Sequence, residues 1–322
     1  MKKILFLFIS ITISYNTYSQ SGGTLVKADQ EIDDFKAIVG AYIGPLGNSL
    51  GAGLNNGWYN TAKPHKLGGF DVTITANFVL INKDVKTFII DDVIKDAESS
   101  IFGGGEVPTI VGNSNGNITF DNTDYKMLDG LNIPVIPLPI LQAGVGLIKG
   151  TELTIRYIPE LKIGNAGKVG LIGVGIKHDL LQWLPIVDKI PIDISIQAGY
   201  TKLESVVELI DPNEWVEPTE ATLGVYATTI NLLLSKKLLM FTPYIGLGYN
   251  SSKTTFSATG KYTLGNAYVP VDIIKDGFEF ESKNNLRTNI GFRFNIAVIA
   301  LQANYTFSEY PTATLGIGIS VR

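Results

Sequence analysis

The sequence predicts an all-β membrane protein: an antiparallel transmembrane β-barrel of about 10–14 strands with a small helical or irregular N-terminal plug. Three observations predict it. Six stretches alternate apolar and polar residues strictly at period two, each about long enough to cross a bilayer as a tilted strand. In the clearest, 286–296, Leu286, Thr288, Ile290, Phe292, Phe294 and Ile296 share one face, and Arg287, Asn289, Gly291, Arg293 and Asn295 share the other. A strand that is greasy on one side and charged on the other separates two solvents. Finally, past the leader no run of about twenty apolar residues lacks helix breakers. The greasiest candidate, 131–148, contains Pro134, Pro137 and Pro139.

Taken in order, residues 1–20 read as a cleaved signal peptide. Lys2 and Lys3 form the basic start, Ile4 to Ile13 a short apolar core, and Tyr15 to Gln20 a polar tail. The segment 21–66 lacks strand periodicity and is expected to be a periplasmic or plug segment. Asp29 is placed to cap a helix with an acidic first turn and the apolar stripe Ile32, Phe35, Ile38, Val39 and Tyr42, ended by Gly44 and Pro45. The Gly- and Asn-rich run 47–66 is too apolar for a tail and reads as a plug in the barrel mouth.

The barrel proper is expected at 67–322. Its first strand is 67–82, with Phe70, Val72, Ile74, Ala76, Phe78 and Leu80 on one face and Asp71, Thr73, Thr75 and Asn77 on the other. A long loop, 83–137, follows in the style of an extracellular loop. The pattern resumes at 139 as a hairpin with its turn near Lys149 and Gly150. Strands then fall at 168–178, 190–201, 221–235, 240–250, 284–296, 297–308 and 311–322, with 256–264 a further candidate that would raise the count above ten. With the amino end periplasmic, Phe78, Tyr157, Tyr200, Tyr249 and Tyr305 lie near the outer ends of outward-running strands in the lipid-facing phase. That placement suits an aromatic girdle at the water–lipid boundary.

Composition narrows the function classes. The 322 residues carry a net charge of −4 and no cysteine. Such a chain shows no nucleic-acid footprint, no disulfide framework, no thiolate metal site and no lipoprotein anchor. Two histidines, His65 and His178, make a histidine-rich metal site improbable, and no cofactor motif is present.

The inward-phase charges Asp71, Arg156, Lys177, Asp193, Arg287 and Arg293 are the candidate lumen lining. Such groups either set which solutes pass or pair to hold a narrow barrel together. In the plug, Asn55, Asn56, Trp58 and Tyr59 are candidate ligand contacts. GAGLNNG at 51–57 lacks the Gly-Lys-Ser/Thr ending of a phosphate loop and suits close backbone packing instead. His178 beside Asp179 does not make a catalytic pair, because adjacent strand residues face opposite ways; with Trp183 it reads as an interfacial turn. The Asn/Asp clusters at 113–124 miss the calcium-loop spacing and read as polar loop.

Three blocks, GAGLNNGWYNTAKPHKLGGFD at 51–71, PLPILQAGVGLIKGTELTIRYIPE at 137–160 and GLIGVGIKHDLLQWLP with PIDISIQAGYT within 170–201, resemble an uncharacterised family of Bacteroidetes-type outer-membrane β-barrels. The resemblance implies an outer-membrane location in a Gram-negative bacterium. More distantly, a plug entering a barrel is similar to the outer-membrane long-chain fatty acid transporters. Those carry Asn-Pro-Ala in the plug, where this chain has Asn60, Thr61, Ala62, Lys63 and Pro64. The expected function is a porin-like, non-enzymatic, passive channel for a small hydrophobic or amphipathic molecule, with membrane lipid as its surroundings. The alternative is a non-transporting barrel presenting surface loops for adhesion or for assembly with an exported protein.

Overall fold

A computed structural model describes residues 22–95, 100, 102–113, 116–120, 123–127, 129–162, 167–183, 191–209, 219–259, 261–264, 267–270, 278–282 and 286–321. The predicted signal peptide lies outside them.

Ten strands close into an antiparallel barrel: β1 (Phe70–Leu80), β2 (Val135–Gly146), β3 (Thr151–Lys162), β4 (Lys168–Asp179), β5 (Asp193–Leu209), β6 (Thr219–Ser235), β7 (Phe241–Thr259), β8 (Leu286–Ile296), β9 (Ile299–Phe307) and β10 (Thr312–Val321). Each pairs with its chain neighbours, and β10 closes on β1 from Phe70↔Val321 to Val79↔Thr312. Closure leaves no outer edge strand at the seam. Short turns gather at one end, among them Ile148–Thr151 with Lys149 (φ 54) and Gly150 (φ 60) at its centre. Two consecutive positive φ values match the twist of a hairpin.

The strands are polar within and apolar without, the inverse of a water-soluble core. Ile74, Leu141, Ile155, Val174, Ile196, Leu232, Leu247, Ile290 and Ile317 are all exposed, while Thr73, Asn77, Gln142, Arg156, Thr201, Asn231, Arg287 and Thr314 are buried. The tyrosines of the expected girdle line up through their pairings. Tyr200 and Tyr249 oppose Thr228 and Ile230 on β6, and Phe78 and Tyr305 both oppose Ala313 on β10.

The sequence expectation of a helix ending at Gly44 and Pro45 is corrected. One helix, α1 (Gly22–Leu54), runs through both residues and down the lumen, so Asp29 lies inside it rather than at its cap. The glycines that read as breakers are contact points. A Cβ on Gly40 would lie 2.5 Å from Phe280, one on Gly47 2.3 Å from Thr254, and one on Gly51 2.3 Å from Ser252. Positions 40, 47 and 51 fall on one helical face, pressed against β7 and the short strand Phe278–Ser282 that pairs with it. The wall supports the helix across Pro45, whose ring would otherwise break it.

Loop and strand boundaries also move. Strand β2 starts at Val135 and includes Pro137 and Pro139, so the long connection is 81–134. That connection is folded, with short strands Thr87–Ile89 and Glu106–Pro108 paired, and Phe102–Gly103, Asn117–Phe120 and Thr123–Lys126 forming a second small sheet. Ile90, Phe102, Val107 and Ile118 pack with Phe35, Ile38, Val39 and Tyr42 of α1. Lys95 bonds Asp33 at 2.7 Å on the surface of this cap, a hydrogen bond that holds the Asp33 carboxyl below its ordinary value. Residues 256–264 add no wall strand: β7 carries on to Thr259, and Lys261–Leu264 pairs only with Ala267–Pro270.

Candidate functional site

The lumen holds α1 and the extended segment after it. A helix leaves its last carbonyls without intrahelical donors, and its C-terminal end carries partial negative charge. Here that end is buried in the middle of the barrel, and each carbonyl is met. Asn56 Nδ2 donates to Ala52 O at 2.8 Å, and Asn77 Nδ2 to Gly53 O at 2.9 Å. Arg156 donates from Nη1 to Leu54 O at 2.6 Å and from Nη2 to Asn56 O at 2.7 Å. Arg287 Nη1 donates to Asn55 O at 2.9 Å. Among the described residues, both guanidiniums are otherwise held by amide oxygens: Arg156 Nε by Gln142 at 3.1 Å, Arg287 Nε and Nη2 by Asn231 Oδ1 at 3.0 and 2.7 Å. Two inward cations thus sit at the negative pole of a buried helix.

Below the helix the chain crosses the lower lumen in contact with the wall. Trp58 lies under Arg156, whose Cζ stands 3.5 Å from the ring centroid. Its slot exists because β4 and β5 carry glycine there; a Cβ on Gly175 or Gly199 would lie 2.6 or 2.5 Å from the indole. Tyr59 meets Tyr244 edge-on at 5.9 Å. Asn60 Oδ1 accepts from Arg293 Nη1 at 2.7 Å, and the Ala62 amide donates to Ser235 Oγ at 3.0 Å. Lys63 pairs with Asp193 at 3.4 Å. At the short-turn end, Glu152 takes the His65 amide (2.9 Å) and Nδ1 (2.8 Å) on one oxygen and Lys177 Nζ (2.8 Å) on the other. Asp71 is buried on the same inner face, opposite Gly144.

All six inward-phase charges therefore face inward, and five of them bear directly, or through one intermediary, on the segment 54–65. The four plug candidates Asn55, Asn56, Trp58 and Tyr59 are buried between them. Glu152 and His65 are missed by the sequence reading. Glu152 carried a signal, since it shares the phase of Thr154 and Arg156; His65 carried none, lying in an aperiodic stretch. His178 accepts from Trp183 Nε1 at 2.9 Å and meets Thr151 Oγ1 at 2.9 Å, which ties the turn together.

The inner face is not polar all round. Toward the long connections, β2, β4, β5 and β6 turn Leu138, Ile140, Leu171, Leu203 and Val225 inward, packed with Leu54 and bordered by Leu50 and Ile158. At the same end β7, β9 and β10 turn Ser252, Thr254, Thr306 and Thr312 inward, all buried. The upper lumen is therefore oily on its β2–β6 half and polar on its β7–β10 half.

One comparison with known proteins assigns the chain. A family model described as a family of unknown function, DUF6588, matches residues 1–321. The chain belongs to that family. No curated protein matches it. Among solved structures, the translocator domain of the autotransporter NalP from Neisseria meningitidis is similar at 9% identity and TM-score 0.31, covering 91% of this chain and 99% of that one. The outer membrane protein Omp33 of Acinetobacter baumannii is similar at 10% identity and TM-score 0.26, over 79% and 98% of the chains. The Ralstonia pickettii toluene transporter TbuX is similar at 10% and 0.28, over 79% and 69%. Scores this low carry no functional argument, and the fold of this DUF6588 member rests on its own strand pairings.

Proposed function

We propose that this DUF6588 protein is exported by a cleaved signal peptide to the outer membrane of a Gram-negative bacterium, where it passively takes up a small hydrophobic or amphipathic molecule. The exposed apolar rows support the membrane setting, because large contiguous apolar surfaces mark contact with lipid or protein. The observation that carries the ligand class is the oily half of the lumen, walled by Leu138, Ile140, Leu171, Leu203 and Val225. A channel for ions or sugars has no use for such a lining, whereas apolar sites with a few polar groups suit apolar ligands. Five of the six inward charges, being engaged with residues 54–65, brace the plug; a role in selectivity would be indirect.

The test is transfer of an apolar fluorophore in liposomes holding the full chain. Acceleration over protein-free liposomes is expected, reduced by Leu171→Gln with Leu203→Asn. No acceleration for any apolar solute refutes the reading.

The second reading, a barrel that presents its loops to an adhesion or exported partner, is favoured by one observation. The 81–134 connection is a folded cap seated on the upper turns of α1. A stoichiometric protein cross-linked to that cap in intact cells would support it over transport.

A further inference from the structure

On the outer face of β3, β4 and β5, just above the tyrosine girdle, the wall carries a groove. Its origin is a bulge. The β3–β4 partners run Ile158↔Leu171 and then Leu161↔Val169, which leaves Pro159 and Glu160 against the single Gly170. Bulges re-aim side chains. Below this one the even positions of β3 face the lumen, as Glu152, Thr154 and Arg156 do. At the bulge Pro159 and Glu160 are both exposed, so Glu160 is turned from the lumen to the outside. Gly170 lies in the outward phase of β4 with Lys168 and Ile172. Its missing side chain keeps the floor open, since a Cβ there would come within 3.1 Å of Glu160 Cγ.

The cavity so formed measures about 260 Å³. Tyr157 and Ile172 make its lower wall, and Lys168, Glu160, Lys202 and Glu204 its rim. Lys202 Nζ bonds Glu204 at 2.7 Å and lies 5.8 Å from the ring centroid of Tyr226. Height decides what the rim meets. Lys202 follows the girdle residue Tyr200 by two positions and Glu204 by four, roughly 5 and 10 Å up the barrel axis at ~3.3 Å per residue and ~40° tilt. That is the level of lipid headgroups, between hydrocarbon and bulk water.

The charges balance. A purely anionic head would meet Glu160 and Glu204, and a purely cationic one would meet Lys168 and Lys202. A head with phosphate and ammonium side by side complements both pairs. Size agrees: at the ~30 Å³ that liquid water gives each molecule, the cavity holds roughly nine non-hydrogen atoms, and a phosphoethanolamine group has about eight. A phosphorylated disaccharide head would overfill it. Below the groove, exposed Ile155, Ile172 and Val174 continue into the apolar rows of the wall, where acyl chains lie.

We propose that this groove binds a phosphoethanolamine-headed glycerophospholipid of the outer leaflet, with its phosphate toward Lys168 and Lys202, its ammonium toward Glu160 and Glu204, and its chains against Tyr157 and Ile172. The site rests on the membrane setting argued above and is independent of what crosses the lumen.

The test titrates the full chain, purified in detergent and stripped of lipid, with dioleoyl phosphatidylethanolamine, phosphatidylglycerol or phosphatidylcholine, and counts bound lipids by native mass spectrometry. The ethanolamine lipid should bind about tenfold more tightly than either of the others, the difference that one charge-assisted hydrogen bond makes. Gly170→Leu, which fills the floor and leaves every charge in place, should erase that preference. Glu204→Gln should weaken the ethanolamine lipid and spare the glycerol one, whereas Lys202→Gln should weaken both. Equal binding of the three heads, or a preference for phosphatidylglycerol, overturns the site. A preference that survives Gly170→Leu does the same. A chain that is folded and monodisperse without detergent overturns the membrane setting instead.

Discussion

Replacing Arg156 with Met removes the donors that close the C-terminal end of α1 while keeping a long apolar stem. The carbonyls of Leu54 and Asn56, met at 2.6 and 2.7 Å, lose that donor inside the barrel, and Asn56 O keeps only the long contact from Asn77 Nδ2 at 3.4 Å. A buried acceptor left unmet costs ~1–3 kcal/mol, so two cost roughly 2 kcal/mol at the low end. The lost stacking on Trp58 adds ~0.5–2 kcal/mol. About 3 kcal/mol is on the order of a hundredfold in the equilibrium between docked and undocked helix end. The assay is amide hydrogen exchange in liposomes, read on peptides covering 50–60. Arg156→Met should raise exchange there by about two orders of magnitude with the β8–β10 peptides unchanged. Arg156→Lys, which keeps a charge but not the fork, should fall between. Exchange at 50–60 within threefold of the parent would refute the clamp.

Gly199→Ala should displace Trp58, since the new Cβ would lie 2.5 Å from the indole; overpacking costs typically ~1–3 kcal/mol. The check is a double-mutant cycle with Trp58→Ala, which should recover most of the loss. Glu152→Gln strands buried Lys177, worth ~3–5 kcal/mol, and should lower the temperature at which the barrel loses its compact form on gels; adding Lys177→Met should recover part of it. Ile196→Arg on the outer face should cost ~2–4 kcal/mol in bilayer folding equilibria, and Leu234→Ala far less. Finally, the packing of Phe35 and Tyr42 against the 81–134 cap puts the start of α1 at the long-connection end rather than at the periplasmic end expected from the sequence, so an epitope placed directly before Gly22 should be detected on intact cells by an impermeant antibody.

The wall was readable from the sequence because its physics is local: period two sets the face of every side chain, and the turn residues Lys149 and Gly150 mark a hairpin directly. What fills the wall was not. Gly40, Gly47 and Gly51 lower helix propensity when read alone, and only the surface of β7 explains them. Pro45 looks like a stop until Ser49 Oγ is seen bonding its carbonyl at 2.5 Å inside a supported helix. The oily half of the lumen escaped because inward apolar residues such as Leu138 and Ile140 alternate with outward Pro139 and Leu141, which erases the polar–apolar contrast. The roles of the inward charges were also hidden. Their phase showed where they point, whereas their partners on residues 54–65 come from more than a hundred residues away in places, as Arg287 and Asn55 do.

The account stands or falls on hydrocarbon covering the outer rows, and single nitroxides read that directly. Each residue from Asp193 to Thr201 is replaced in turn by a spin-labelled cysteine, and collision with oxygen and with an aqueous nickel complex is measured in liposomes. Labels at Ile194, Ile196, Ala198 and Tyr200 should meet oxygen and exclude nickel, whereas those at Ser195, Gln197 and Gly199 should meet little of either, being packed against the plug. Nickel reaching the outward positions as freely as it reaches the loops would contradict the account.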